Sequence, residues 1–198
     1  MQRFTKFCLG VFTTSSLFLT GCQHYQKPNT GLTPTVNTDD ATQPSTQFEL
    51  QGKIGVRTPQ QSGSAFFTWL QQQDHFEIDL SGALGIGKTH IEGTPGSVTL
   101  NSAKTGTITA TTAEELLEKA TGWQTPITHL VQWVQAKPAT SDAQVQSDAE
   151  QRPIQIIEDD WNVSLSYKDD AKLPNKLVLQ QNLENGQQNR ITMVIQNR

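Results

Sequence analysis

The thiol of Cys22 is the side chain that the sequence marks most clearly for chemical modification. It directly follows Leu19-Thr20-Gly21, and these residues end a short apolar run that begins behind the basic residues Arg3 and Lys6. A basic start, a short apolar stretch and small residues at a cleavage point are the three parts of a secretory signal peptide. The apolar stretch is too short and too polar to span a bilayer, so the pattern predicts export.

A cysteine directly after Leu-x-Gly resembles the bacterial lipoprotein box, in which the thiol is acylated and becomes the first residue of the mature chain. The resemblance predicts that residues 1–21 are removed and that Cys22 carries a lipid. The alternative is an ordinary signal peptide with an incidental cysteine. Gln23, the residue after this cysteine, is compatible with the outer membrane. An Asp at that position would suggest retention in the inner membrane. We therefore expect a lipid-anchored domain that faces the periplasm.

Residues 82–89 match the P-loop pattern G-x-x-x-x-G-K-[ST], which can bind the phosphates of a nucleotide. That chemistry requires a helix directly after the loop, because the helix N-terminus holds the phosphates. Here Thr89-His90-Ile91-Glu92 leads into a Gly-Thr-Pro-Gly turn, and no helical pattern follows. We therefore interpret the segment as a hairpin connection rather than as a nucleotide site.

The same connection carries two large apolar residues, Leu84 and Ile86, between glycines. Nothing in the sequence provides a core for them to join, and an exposed apolar loop tip normally marks a contact with a partner or a membrane. One such residue entering lipid contributes only about 1.5–3 kcal/mol. That is too weak to anchor a domain but sufficient to touch a bilayer to which the domain is already tethered.

No other cluster of residues nominates a catalytic or metal site. The histidines have no i, i+4 partner and no cysteine beside them, so we expect no metal and no cofactor; they are His24, His75, His90 and His129. Adjacent aspartates are more typical of solvated turns than of acid–base pairs; they occur at Asp39-Asp40, Asp159-Asp160 and Asp169-Asp170. Since no G-x-S-x-G or Cys/His nucleophile pattern appears, we do not expect an enzyme.

The charge of the chain argues against nucleic acid as a partner. Without Arg3 and Lys6 the mature chain would have 13 basic and 19 acidic residues, a net charge of −6. An acidic domain without a basic stripe fits neither nucleic acid nor a polybasic grip on lipid. With Cys8 in the signal and Cys22 acylated, no thiol remains for a disulfide.

Beyond the signal peptide, the composition divides the chain in two. Residues 22–46 are rich in Thr, Gln, Asn, Asp and Pro, and we interpret them as the acylated cysteine with a flexible tether. Residues 47–198 form the folded domain. Its first half alternates apolar and polar residues over short segments that end in Gly, Pro or Asn/Asp turns, which predicts an antiparallel sheet or barrel.

Two short helices interrupt the strands. Thr112 and Glu115 form a capping-box pattern and Gly122 a stop signal, while Pro126 stands at the start of a second apolar stripe. Residues 139–152 are expected to be a polar loop before the strands return. The fold class is therefore mainly β with a few helices: an open, incompletely closed antiparallel β-barrel whose helices form a lid on the concave face.

Large apolar side chains of this pattern either fill a core or line a cavity beneath the helices, and periodicity does not separate the two. The candidates for lining such a cavity are Phe67, Trp69, Ile78, Leu80, Leu116, Leu117, Leu130, Trp133 and Trp161.

From residue 48 onward the chain resembles the LolB family of outer-membrane lipoprotein receptors. The resemblance is carried by the order and spacing of several short segments, none of which is diagnostic alone. The segments are Phe67-Thr68-Trp69, Gly82-Ala83-Leu84-Gly85, Thr94 to Leu100, Ala113-Glu114-Glu115, Thr121-Gly122, Pro126, Leu130-Val131-Gln132-Trp133, Pro138, Leu173-Pro174 and Arg190-Ile191.

The resemblance implies an open β-barrel of the LolA/LolB type with a helical lid over an acyl-chain cavity. It also implies a function without a reaction: a monomer takes acylated lipoproteins from the periplasmic carrier LolA and inserts them into the inner leaflet of the outer membrane. In the family an apolar residue on a protruding Pro-Leu-Gly loop is needed for release. Leu84 matches that residue by position, although Ala83 replaces the proline.

Family members usually have a helix before the first strand, whereas residues 23–46 have the composition of a disordered segment.

Two other functions stay open at this point. One is a structural or assembly lipoprotein of the outer membrane, which would bind a protein partner without an acyl-chain pocket. The other is a periplasmic lipid-active enzyme, which would need a nucleophile that the sequence does not display.

Overall fold

A computed structural model describes residues 46–82, 87–122 and 125–198. The first six strands are β1 (Gln47–Arg57), β2 (Ser62–Gln72), β3 (His75–Ser81), β4 (Thr89–Thr94), β5 (Ser97–Ser102) and β6 (Gly106–Ala110). Two helices follow, α1 (Ala113–Thr121) and α2 (Ile127–Trp133). The remaining strands are β7 (Gln144–Ser147), β8 (Pro153–Glu158), β9 (Trp161–Ser166), β10 (Lys176–Asn182) and β11 (Gln188–Asn197).

The eleven strands of the described residues form one antiparallel sheet in the order β6-β5-β4-β3-β2-β1-β11-β10-β9-β8-β7. Strands β1 to β6 pair in sequence order, and so do β7 to β11; the two series are joined by the pairing of β1 with β11 in the middle of the sheet. Within the described residues β6 and β7 are the two edges and do not pair with each other, so the sheet is not closed. The prediction of an open barrel with a helical lid is confirmed.

Strand β7 corrects one sequence expectation, the polar loop over residues 139–152. Its four residues, Gln144–Ser147, are all exposed, and three of them are polar. A strand that buries neither face has no apolar alternation, which is the signal on which strand prediction depends. β7 is instead held by its hydrogen bonds to β8 at the edge of the sheet.

The end signals predicted for α1 are present in the structure. Thr112 Oγ1 accepts a hydrogen bond from the backbone N–H of Glu115 at 3.1 Å, and the Glu115 carboxylate accepts from the backbone N–H of Thr111 at 2.8 Å. The reciprocal bond of the capping box thus goes one residue further back than the standard pattern. Gly122 ends the helix in the left-handed conformation, with φ of 72°.

The chain crosses from one sheet edge to the other through α1 and α2, because they connect β6 to β7. α1 packs on β5 and β6, and α2 places Leu130 and Trp133 in the core on the concave face. α2 begins at Ile127, one residue after Pro126. The helices are therefore held over the concave face by the connectivity of the sheet as well as by their own apolar residues.

Candidate functional site

An apolar cavity of about 220 Å³ lies between the helices and the inner side of the sheet. Strands β1 to β5 contribute its wall, β11 contributes Ile191 and Met193, and the helices cover it through Leu116, Leu117 and Leu130. No lysine, arginine or histidine is among the described residues that line it. Such a space suits a hydrocarbon chain better than a charged ligand.

Seven of the nine predicted candidates line this cavity: Phe67, Trp69, Ile78, Leu80, Leu116, Leu117 and Leu130. The structure places Trp133 and Trp161 elsewhere, in the packed core beside the cavity. Both are buried, with ring centroids 6.5 Å apart, and they pack against each other instead of facing the open space.

Strand alternation explains how the wall is built. On β2, Phe67 and Trp69 point inward and are buried, while the alternating residues Phe66 and Thr68 are exposed on the convex face. On β3, Ile78 faces inward and lines the cavity but remains only partly buried. A side chain that points to the interior and yet stays accessible shows that the space in front of it is unfilled.

The structure adds lining residues that the sequence reasoning missed: Ile54, Phe76, Ile91, Leu100, Ile127 and Met193. Phe76 precedes Ile78 and Leu80 in one period-two series, so strand alternation could have identified it. Met193 has a different origin, because it reaches the cavity only through the pairing of β11 with β1. That pairing joins segments far apart in the sequence, and no local pattern reports it.

One end of the cavity is polar. The lining there consists of Gln61 from the β1–β2 turn, Ser62 at the start of β2, Thr89 at the start of β4, Thr105 from the β5–β6 turn and Thr121 at the end of α1. At this end β3 leads into residues 83–86 and β4 returns from them. The polar end of the cavity therefore lies at the ends of β3 and β4, the two strands between which the sequence places the predicted membrane contact.

A second cavity of about 420 Å³ adjoins the first at the other end of the strands. The two share Trp69, Phe76 and Ile78 on the sheet, Ala113 on α1 and Ile127 on α2. Its remaining lining is mostly polar and comes mainly from the β2–β3 and β4–β5 turns, the start of α1 and helix α2. The apolar cavity thus lies between two polar regions.

A buried carboxylate fixes the segment that follows α2. Glu158 accepts hydrogen bonds from the indole N–H of Trp133, from the backbone N–H of Ala139 and from the backbone N–H and hydroxyl of Thr140, the last two at 2.7 Å. Burial alone would raise the pKa of Glu158, but these donors outweigh it and the pKa is lowered. Glu158 therefore stays ionised and joins α2 to β8.

The described histidines are engaged with carboxylates. His75 contacts Glu77 at 3.1 Å, and His90 contacts Asp79 at 3.0 Å, a hydrogen bond that raises the pKa of His90. His129 stacks edge-on against Trp133, with ring centroids 5.5 Å apart. Among the described residues no group of three or more potential metal ligands comes together.

Three predicted site residues, Cys22, Leu84 and Ile86, lie outside the described residues. The structure does describe the end of the P-loop pattern, where Thr89 begins strand β4 instead of a helix. The helix that would hold a phosphate is therefore replaced by a strand. None of the described helices has the length and apolar character needed to cross a membrane.

Comparison with known proteins agrees with this architecture. Residues 46–197 match the model of the family described as Outer membrane lipoprotein LolB. The outer-membrane lipoprotein LolB of Stutzerimonas stutzeri is 41% identical over 152 residues, which are 75% of this chain and 71% of the relative. That of Pseudomonas savastanoi pv. phaseolicola is 40% identical over 152 residues, 75% of this chain and 72% of the relative.

These matches confirm the resemblance found in the sequence, and with it the predicted outer-membrane location and the role in lipoprotein localisation. They extend over the strands, both helices and every described residue of the apolar cavity. The chain belongs to the LolB family of outer-membrane lipoproteins.

Proposed function

We propose that this chain, acting as a monomer, takes acylated lipoproteins from the periplasmic carrier LolA and inserts them into the inner leaflet of the outer membrane. The observation that carries the proposal is the apolar cavity beneath α1 and α2, whose wall includes Trp69, Ile78 and Leu116. No chemical bond changes in this function. The domain needs only to shield acyl chains from water and then to give them up.

The energetics require a descending series of states. Acyl chains gain about 0.8 kcal/mol for each buried CH₂ group, so a receptor must bury them well enough to remove them from the carrier. The bilayer must bury them better still, because transfer without ATP proceeds only toward lower free energy. A cavity that is apolar along its wall but polar at its ends fits the intermediate position in this series.

Release is the step that we assign to the β3–β4 connection, through Leu84 and with Ile86 beside it. Supporting this assignment, Leu80 at the end of β3 and Thr89 at the start of β4 both line the cavity. An apolar side chain carried between these strand ends would reach lipid close to the place where cargo leaves. Cys22, as the acylated residue, would keep the domain at the membrane during this step.

The test separates binding from delivery. Leu84→Glu is expected to leave binding of an acylated lipoprotein within about twofold of the unsubstituted protein, and to reduce its delivery to liposomes by at least about tenfold, because a carboxylate does not enter the hydrocarbon region. Binding is measured by co-purification, and delivery by flotation of the cargo with the liposomes.

A matched control is Leu173→Glu. Leu173 is also an apolar loop residue, 41% exposed, but it lies at the opposite end of the strands. Delivery by this variant should be normal. Unimpaired delivery by Leu84→Glu would overturn the assignment of the loop, and failure of the unsubstituted protein to bind acylated cargo would overturn the cavity function itself.

A further inference from the structure

Thr89 is a polar side chain buried in the wall of an apolar cavity. It is 2% exposed, and its hydroxyl oxygen has no hydrogen-bond partner among the described residues. Residues of β4 alternate between the two faces, and the register places Thr89 between Leu80 on β3 and Ser102 on β5, all on the inner side. A buried hydroxyl normally has a partner, because leaving it without one costs about 1–3 kcal/mol.

The neighbouring polar groups do not remove this cost. Ser102 is also buried, but its hydroxyl oxygen accepts a hydrogen bond from the backbone N–H of Lys104 at 3.2 Å. Thr121 donates its hydroxyl to the carbonyl of Leu117 within α1 at 2.8 Å. The Thr89 hydroxyl is thus a fully buried donor that remains available to a molecule entering the cavity.

The chemistry of the wall limits what this molecule can be. A free fatty acid would bring a carboxylate, which needs a cation when it is buried, and the described lining residues include none. An ester carbonyl is neutral and accepts one hydrogen bond from a hydroxyl. We propose that Thr89 donates a hydrogen bond to an ester carbonyl of a diacylglyceryl group, so that the cavity takes acyl esters in preference to free fatty acids.

This inference rests on the proposed function, and it adds a direction to it. Thr89 lies at the polar end of the cavity. The next inward-facing residues along β4 are Ile91 and then Gly93. At Gly93 a Cβ atom would come within 2.9 Å of both Phe76 and Val98, so these side chains close over the glycine. The ester group would therefore lie at the Thr89 end, with the acyl chain directed toward Phe76.

The direction has a consequence for the cargo. Its polypeptide would leave the cavity at the end where Thr89 and Gln61 lie, and not through the polar cavity near Asp74. The protein part of the cargo and the β3–β4 connection would then be at the same end of the domain.

The experiment compares two soluble lipopeptides. Both carry a glyceryl thioether on an N-terminal cysteine, one with two octanoyl ester chains and the other with two octyl ether chains of matched length. The mature chain should bind the ester about three- to tenfold more tightly than the ether, the effect of one hydrogen bond. Thr89→Val has the same shape without the hydroxyl. It should bind both lipopeptides with the affinity that the unsubstituted protein has for the ether.

Two controls complete the design. Thr68→Val makes the same change on the convex face of β2, where the side chain is exposed, and should retain the preference for the ester. Thermal unfolding of Thr89→Val without ligand should be no easier than that of the unsubstituted protein, because the variant loses a hydroxyl that has no partner. This result shows that a weaker interaction with the ester does not come from misfolding.

The outcomes separate the two proposals. Equal binding of ester and ether by the unsubstituted protein, or an equal loss of both in Thr89→Val, overturns the role of Thr89 and leaves the cavity function intact. Binding of neither lipopeptide by the unsubstituted protein overturns the cavity function and the role of Thr89 with it.

Discussion

The two halves of the concave face follow the same strand alternation but differ in how they are filled. In the half built from β8 to β10, inward residues such as Ile156, Val163 and Leu177 are completely buried. In the half built from β2 to β5, the inward residues Ile78 and Ile91 are only partly buried and line the cavity. Apolar residues at alternate positions are therefore sufficient to make a wall but not to make a packed core.

The helices account for the difference. α2 brings Trp133 onto the sheet, where it meets Trp161 and fills the space between the layers. Over the other half α1 presents Leu116 and Leu117, which are smaller and do not fill the distance to the opposite strands. The size of the helical side chains, more than the strand pattern, decides where the core ends and the cavity begins.

The largest loss of stability is expected from replacing Trp133, the residue that fills the packed half. Trp133→Ala removes a completely buried ring, and replacements of this kind cost about 3–5 kcal/mol. It also leaves the Glu158 carboxylate without its indole donor. The free energy of unfolding, measured with urea and far-UV circular dichroism, should fall by about this amount. A loss below about 1 kcal/mol would show that Trp133 is not the element that fills this half.

A matched pair of isoleucines tests the comparison directly. Ile156→Ala, in the packed half, should cost about 2–4 kcal/mol, because its neighbours cannot fill the gap. Ile78→Ala should cost only about 1 kcal/mol, since its side chain already faces open space. Urea unfolding of both variants provides the measurement. Similar costs at the two positions would contradict the division into a filled and a hollow half.

Much of the fold could be predicted because its signals are local. The series Phe76, Ile78 and Leu80 identifies a strand by period alone, and Thr112 and Gly122 mark the two ends of α1. Interruption of the strands by only two short helices predicted an open barrel with a lid. Each of these inferences depends on residues that lie within about one strand or helix of each other along the sequence. Over that distance the sequence pattern directly reflects the backbone geometry.

The rest depends on contacts between distant segments. Gly52 lies at an irregularity in the pairing of β1 with β11, where a Cβ atom would overlap the carbonyl oxygen of Val194. Nothing near Gly52 in the sequence indicates that approach. For the same reason Trp133 and Leu116 looked equivalent as cavity candidates. Only the depth of each half, set by packing across the sheet, places the first in the core and the second at the cavity.

Thr89 shows a different limit of sequence reasoning. As part of a P-loop pattern it suggested a ligand of the wrong kind, and as a β-branched residue in a strand it suggested nothing further. Its significance depends on burial without a partner, which is a property of the surroundings and not of the residue. Polar residues in an apolar wall are therefore found from the structure, while the apolar wall itself is visible in the alternation.

A smaller effect than that of Ile156→Ala is expected at Glu158, which supports the filled half. Glu158→Gln keeps the size but removes the charge and leaves buried donors poorly satisfied, for a cost of about 1–2 kcal/mol near neutral pH. Because the pKa of Glu158 is lowered in the folded protein, its contribution to stability is fully present above the usual value of 4.5 and is lost as the pH falls through the folded pKa.

The difference in unfolding free energy between the two proteins should thus be constant from neutral pH down to about pH 5 and shrink at more acidic pH. Urea unfolding across this range measures it, and Glu150→Gln is the control, since Glu150 is an exposed glutamate near the β7–β8 turn. A difference that stays constant down to about pH 3 would mean that the ionised carboxylate of Glu158 does not hold α2 against the sheet, and that Trp133 is fixed by packing alone.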